Sequence, residues 1–178
     1  WGKSVRVRPL MGGVHIPTLS GGSFTFGAFT LSFSVQFSDV GRETLILGSA
    51  NPQNNRPEYR LLHLGNGTCR FEGVGLQFIV PDPVEFLCPN DSEIHHYSLL
   101  VNGSEAAMII DGVVFDVQLP PVVFGIEQGF EPTRQMLTFL QHASGFLDEV
   151  MFSSTQMSRS WVIVRQASLM DTLLRVEY

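Results

Sequence analysis

Residues 30–38 read Thr-Leu-Ser-Phe-Ser-Val-Gln-Phe-Ser, an unbroken alternation of polar and apolar side chains. Successive side chains of a β-strand point to opposite faces, so the four apolar residues from Leu31 to Phe37 fall together on one face. The polar residues fall on the other face. This pattern predicts a strand with one buried and one solvated face, which is typical of antiparallel sheets.

Shorter stretches with the same alternation recur along the chain, bounded by residues that favour turns. The dipeptides Asn102-Gly103 and Asp111-Gly112 favour hairpin turns, so they predict a meander of three neighbouring strands, with Asp111 in a structural role. The predicted strands outside 30–38 are 5–7, 45–47, 59–64, 76–80, 97–101, 106–110, 113–117, 136–140, 146–152 and 173–178.

About twelve short strands at close spacing predict an all-β protein built as a two-sheet antiparallel sandwich rather than an eight-stranded barrel. One short helix is expected near the C-terminus. Ser158 is the predicted N-cap, and the helix would carry Trp161, Val162 and Arg165.

Composition sets the class of the chain. The 178 residues are 44% hydrophobic and 16% charged, which predicts one globular domain over 1–178 with a sizeable core. The net charge is −6 and Lys and Arg form no cluster, so we expect no nucleic-acid partner. Apolar runs are far shorter than the ~20 residues that span a bilayer, so no transmembrane segment is expected. Because the chain starts at Trp1, we expect a domain excised from a larger protein, with flanking domains.

The two cysteines, Cys69 and Cys88, lack the C-x-x-C spacing of zinc or redox motifs. An even count in a turn-rich chain with few charges predicts one disulfide between them. The alternative is a pair of independent buried thiols.

Three N-glycosylation sequons begin at Asn66, Asn90 and Asn102. Turn chemistry is an alternative reason for two of them, since Asn66 and Asn102 are each followed by glycine. Together with the cysteine pair, the sequons favour an extracellular, cell-surface or viral-surface protein that follows a secretory route.

The order of several segments carries a family resemblance. The strands Phe29-Thr30-Leu31-Ser32-Phe33-Ser34-Val35 and Gly145-Phe146-Leu147-Asp148-Glu149-Val150-Met151-Phe152 bracket segments 95–101 and 109–113, and 14–17 precedes them. Over about residues 14–170 the chain resembles the laminin-G-like, concanavalin A-like jelly-roll superfamily, although Ser34 stands where many members carry Trp. The resemblance implies two stacked sheets, one of them concave. It leaves function open, because this fold hosts lectins, adhesion modules, glycosidases and structural domains.

Asp148 is the most informative polar residue. Simple alternation places it on one face with Phe146, Val150 and Phe152, where a carboxylate is costly unless it is hydrogen-bonded, paired or bound to metal. One interpretation is a structural carboxylate that accepts backbone N–H bonds. The other, implied by the resemblance, is a ligand of a structural calcium ion, although Glu149 faces away and is no obvious second ligand.

The remaining candidates are weaker. His95 and His96 are adjacent and would point to opposite faces of a strand, so they cannot easily share a metal ion. Arg6 and Arg8 share a face that is either a solvated surface or a contact for an anionic ligand. The polar segment 51–60 is either a recognition loop or an ordinary connection.

Patterns for catalysis are absent from the sequence. Glycosidases of this fold carry Glu-x-Asp-x-Glu on one strand, whereas the nearest spacing here, Glu127 to Glu131, lacks the central Asp. Neither a G-x-S-x-G elbow nor a phosphate-binding loop occurs. We therefore expect a non-catalytic extracellular recognition or adhesion module that binds a glycan or a protein surface. The alternatives are a structural or assembly domain of a larger cell-surface or viral-surface protein and an unusual glycan-active enzyme.

Overall fold

A computed structural model describes residues 5–7, 14–17, 28–38, 41–51, 56–73, 82–102, 105–118, 136–141 and 143–170. These ranges contain twelve strands and one helix: β1 Val5–Val7, β2 Val14–Pro17, β3 Ala28–Phe37, β4 Thr44–Asn51, β5 Arg56–His63, β6 Thr68–Gly73, β7 Val84–Leu87, β8 Ile94–Asn102, β9 Glu105–Ile110, β10 Val113–Gln118, β11 Met136–Gln141, β12 Gly145–Ser153 and α1 Arg159–Leu169.

The strands form two six-stranded sheets. Sheet A has the order β1-β12-β3-β8-β9-β10, and sheet B has the order β2-β11-β4-β5-β6-β7. Each paired strand runs antiparallel to its neighbour. The predicted two-sheet antiparallel sandwich with one short C-terminal helix is confirmed.

The core lies between the sheets, and β3 supplies its centre. The apolar residues of β3 are buried there as the alternation predicts. Phe33 stacks on Tyr97 at 5.5 Å between ring centroids and meets Phe139 of sheet B edge-on at 5.0 Å. Burying each such ring stabilises the fold by about 1.5–3 kcal/mol, so these contacts fix how the sheets stack.

The outer face of β3 is also buried, so the prediction of a solvated face is wrong there. Thr30, Ser32 and Ser34 are each at most 3% exposed. The polar side chains are satisfied in place: Ser32 Oγ lies 2.7 Å from Ser98 Oγ, and Thr30 Oγ1 accepts the backbone N–H of Met157.

Helix α1 covers the outer face around Ser98, which pairs with Ser32, whereas Ser34 lies against His96. Val162 packs against Leu100 and Ile109, and the buried Gln166 amide donates to the carbonyls of His96 and Ile109 and to the hydroxyl of Ser98. The helix begins as predicted, with the Ser158 hydroxyl accepting the N–H of Trp161.

A bulge interrupts β12 between Asp148 and Met151, and Glu149 has a positive φ of 51°. After the bulge, the side chains of β12 point to the opposite faces from those that simple alternation predicts. Phe152 pairs opposite Leu31 and stacks on Phe29 at 5.9 Å, whereas Asp148 pairs opposite Ser34 on the outer face. The prediction that Asp148 shares a face with Phe152 is therefore wrong, because simple alternation does not survive a bulge, whereas Phe146 and Asp148 do share the outer face.

Two further expectations change. β4 ends at Asn51 and β5 begins at Arg56, so most of the predicted loop 51–60 belongs to strands. Residues 52–55 lie outside the described residues. β7 was not predicted, because its four residues include an 81% exposed Leu87 that obscures the alternation. The predicted strands 76–80 and 173–178 also lie outside the described residues.

Candidate functional site: the open half of sheet A

Among the residues that the structure describes, helix α1 covers only one half of the outer face of sheet A. The other half presents two rows of side chains that run across the strands. Arg6, Phe146, Gln36 and Ile94 form the first row on β1, β12, β3 and β8, and Asp148, Ser34 and His96 form the second. We call the surface formed by Arg6, Ser34, Gln36, Ile94, Phe146 and Asp148 the open half of sheet A.

A depression of about 270 Å³ lies in the open half and is lined by Ser34, Gln36, Ile94, Phe146 and Asp148. Ile94 is 56% exposed, so an aliphatic side chain borders the depression. Apolar surface beside a small number of polar groups is the ordinary composition of a ligand site.

The polar groups of the depression are held in place. The Gln36 amide donates to the carbonyl of Ser92 at 2.7 Å, and Ser34 Oγ lies 2.6 Å from His96 Nδ1. One oxygen of Asp148 accepts the backbone N–H of Glu149 at 2.8 Å. Its other oxygen makes no hydrogen bond with a described residue, and Asp148 lines the depression.

Arg6 borders the depression. Its guanidinium carbon lies 5.8 Å from the centroid of the Phe146 ring, within range of a cation–π contact. The exposed Arg6 therefore stands on the outer face, as expected, whereas Arg8 lies outside the described residues.

A charged cluster adjoins the depression at the start of β8. His95 Nδ1 lies 2.6 Å from Asp111 Oδ2, and His95 Nε2 lies 2.7 Å from Asp91 Oδ1. Ionised carboxylates only accept hydrogen bonds, so the imidazolium form satisfies both partners at once. Burial lowers the pKa of His95, but the bonds to Asp111 and Asp91 outweigh it and hold that pKa above its ordinary value.

Asp111 has the structural role expected of it. It occupies the β9–β10 turn with a φ of 47°, and its Oδ1 accepts the backbone N–H of His96 at 2.8 Å. His95 and His96 point in different directions, as expected. His96 contacts Ser34, and burial lowers its pKa.

The other sequence candidates lie away from the depression. Cys69 and Cys88 are bonded, with Cα atoms 5.2 Å apart. Asn66, Asn90 and Asn102 are all exposed. Asn66 sits in the β5–β6 turn, where its side-chain oxygen accepts the N–H of Thr68.

Calcium does not fit the described surroundings of Asp148. Among the residues that the structure describes, no group of three or more His, Cys, Asp or Glu side chains converges on one point. Calcium takes six to eight oxygen ligands, usually with several carboxylates among them. Glu149, the neighbouring carboxylate, faces Arg165 of α1 at 3.7 Å.

Sequence analysis did not identify Gln36, Ile94 or Phe146 as site residues. One signal was present: Phe146 and Leu147 are consecutive, so β12 carries an apolar side chain on each face at that point. Leu147 is buried in the core, which leaves Phe146 on the outer face.

Comparisons with known proteins identify the fold alone. No family model matches the chain, and no curated protein matches it. Solved structures with a similar fold include neurotoxin receptor-binding domains. The binding domain of botulinum neurotoxin DC in complex with SialylT has a TM-score of 0.61 at 10% identity, over 81% of this chain and 36% of that one.

Two further solved structures have a similar fold. The same binding domain in complex with rat synaptotagmin II has a TM-score of 0.61 at 9% identity, over 81% of this chain and 36% of that chain. The botulinum neurotoxin serotype D binding domain has a TM-score of 0.62 at 12% identity, over 89% and 41%. The chain thus spans well under half the length of these solved chains, and the laminin-G-like assignment stays a resemblance. None of the helices in the described ranges has the length and hydropathy of a bilayer span.

Proposed function

We propose that this chain is a non-catalytic recognition module that works at a cell surface or in the extracellular space and binds a glycan or a protein surface. The open half of sheet A is the observation that supports it. A rigid sheet presents an exposed aliphatic residue, an aromatic ring, an amide, a carboxylate and a guanidinium within two adjacent rows. Binding sites on rigid strands lose little entropy when a ligand docks.

The carboxylates of the site argue for binding rather than hydrolysis. Among the described residues, Asp148 is the one carboxylate that lines the depression, and the neighbouring Glu149 is turned toward Arg165. Glycoside hydrolysis needs two carboxyl groups that flank the reacting bond. The three similar structures named above are binding domains, and two of them are complexes with SialylT and with rat synaptotagmin II.

The proposed location rests on covalent chemistry. A disulfide between buried cysteines persists in oxidising compartments, and the exposed asparagines of three sequons are accessible to glycosylation.

The test is a binding screen of the purified, disulfide-bonded chain against a glycan array and against intact cells. We expect binding to a subset of glycans or cells, with a marked loss in Phe146→Ala and no loss in Leu87→Ala. Leu87 is the control, because it is an 81% exposed apolar residue on β7 of sheet B, outside the depression. Binding that is absent everywhere, or equal in both variants, would overturn the proposed site.

A second candidate function is assembly within a larger particle or surface protein. Its supporting observation is the outward side of α1, where Trp161, Val164 and Leu169 are 45%, 54% and 38% exposed. Exposed apolar side chains of this size favour contact with another protein. Sedimentation of the wild type and of Trp161→Ala at rising concentration tests it: self-association that Trp161→Ala removes supports assembly, and a monomer throughout counts against self-assembly.

A further inference from the structure

We propose that the depression in the open half of sheet A is a subsite for one neutral sugar ring, a hexopyranose unit that stacks on Phe146 and donates a hydroxyl hydrogen bond to Asp148. This inference rests on the proposed recognition function and specifies its ligand and its contact residues.

The spacing of the walls suits one ring. Phe146 and Ile94 lie on β12 and β8, with β3 between them. Strands two positions apart in a sheet are separated by about 10 Å. Gln36 lies between the two apolar residues in the same row, and the small Ser34 beside it leaves space above the sheet. Since the volume of about 270 Å³ is below the ~300–1,000 Å³ of drug-sized pockets, it suits a single ring rather than a peptide segment.

The chemistry of the lining matches a sugar. The C–H groups on one side of a pyranose are weakly positive and are attracted to the negative face of an aromatic ring such as Phe146. The hydroxyls around the ring are donors, and an ionised carboxylate is a pure acceptor. Asp148 therefore complements a hydroxyl with the oxygen that bonds to no described residue, and such charge-assisted bonds are stronger than neutral ones.

The charge of the site favours a neutral sugar over an acidic one. An acidic sugar would bring a second carboxylate toward Asp148, which lines the depression. Arg6 is the cation beside Phe146, and its guanidinium is directed to the ring. A polar, uncharged ring avoids the repulsion and still uses the carboxylate.

The experiment is an NMR titration of the ¹⁵N-labelled chain with the methyl glycosides of glucose, galactose, mannose, fucose, N-acetylglucosamine and N-acetylgalactosamine. The methyl glycoside of N-acetylneuraminic acid is the acidic comparison. Each probe is titrated into the millimolar range, where single sugars bind. We expect at least one neutral glycoside to shift the amide signals of Gln36, Ile94, Phe146 and Asp148 in a saturable way.

Variants separate the two contacts. Asp148→Asn should weaken binding roughly tenfold or more, because a hydrogen bond to a charged group is replaced by a weaker one. Phe146→Leu keeps an apolar side chain and loses the aromatic face, so it should weaken binding too. Leu87→Ala, on β7 of sheet B, should bind as the wild type does. Melting curves of all the variants establish that each is folded before its affinity is compared.

The outcomes distinguish the two proposals. If no neutral glycoside shifts these amides, or only the acidic sugar does, the neutral-sugar subsite is wrong. Equal affinity in Asp148→Asn and the wild type would also overturn it. If the neutral-sugar subsite fails in one of these ways, but array or cell binding persists and Phe146→Ala weakens it, the recognition function stands with another ligand. When array and cell binding are absent as well, both proposals fail.

Discussion

His95 Nδ1 lies 2.6 Å from Asp111 Oδ2, and the other oxygen of Asp111 accepts the backbone N–H of His96. One carboxylate in the β9–β10 turn thereby holds the start of β8 through a side chain and a backbone group. Asp91 closes the cluster from the other side of the ring at 2.7 Å. His95 directly follows Ile94 in β8, and Ile94 lines the depression.

The first prediction concerns pH. Because the pKa of folded His95 is raised, protonated His95 stabilises the fold fully below its unfolded pKa, about 6.5. That contribution is lost as the pH rises through the raised folded value. We expect the free energy of unfolding to fall between pH 6.5 and mildly alkaline pH, and His95→Gln to flatten this fall. Urea unfolding at a series of pH values measures it.

At acid pH, two other histidines make the free energy of unfolding change in the opposite direction with pH. Burial lowers the pKa values of His63 and His96, so their contribution is present above about pH 6.5 and is lost as the pH falls through the lowered values. A pH profile of His95→Gln that keeps its acid loss and lacks its alkaline loss supports the assignment. An unchanged alkaline loss in that variant would contradict it.

The second prediction concerns the disulfide. The bond between Cys69 and Cys88 joins β6 to the residue after β7, and both sulfurs lie in the core. Replacing both cysteines by serine should reduce the free energy of unfolding by roughly 3 kcal/mol, because the unfolded chain regains the freedom of the loop. Denaturant unfolding of the two proteins measures the difference. Two titratable thiols in the unfolded wild type without reductant would show that the bond is absent.

The third prediction concerns Gly145. A Cβ at this position would collide with the backbone carbonyl of Gln36 on the neighbouring strand, and backbone cannot move aside cheaply. Gly145→Ala should therefore be strongly destabilising, by about 2 kcal/mol or more. Gly48→Ala is the matched control, because its Cβ would meet only the flexible side chain of Leu45 at 3.1 Å. Equal melting temperatures of the two variants would contradict the register of β12 against β3.

The fourth prediction concerns glycosylation. Asn102 is exposed at the end of β8, so it should carry an N-linked glycan when the chain is secreted from eukaryotic cells. Asn66 is less favoured, because its side chain already bonds to Thr68, and Asn90 is least favoured, because it lies close to the disulfide. Intact-mass measurement of the secreted chain and of Asn102→Gln checks this, and identical masses apart from the substitution would refute it.

The fifth prediction separates structure from calcium at Asp148. Asp148→Ala should lower the free energy of unfolding by about 1 kcal/mol, because the N–H of Glu149 loses its acceptor at the bulge. Wild-type melting temperatures should be equal with calcium and with a chelator. A calcium-dependent rise that disappears in Asp148→Ala would instead establish a metal site.

Local patterns in the sequence determined the strands, the turns and the class of the fold. The alternation in residues 30–38, the Asp111-Gly112 turn and the Ser158 cap depend on neighbours in the chain, so they can be read without knowing what lies across from them. Only the tertiary structure decided which face of sheet A is covered, because α1 docks on residues more than 50 positions earlier in sequence, such as Leu100 and Ile109.

The candidate site, like the docking of α1, was decided by the tertiary structure. Arg6, Gln36, Ile94 and Phe146 come from four strands that are far apart in sequence, and they meet because the register aligns them in one row. Asp148 and Phe152 lie on opposite faces of sheet A because of a bulge, and the alternation of polar and apolar residues does not reveal that bulge. The period of a strand is a local property, whereas register, bulges and helix docking are set by long-range packing. The sequence alone therefore determined a sandwich, and the long-range contacts decided where it has an open surface.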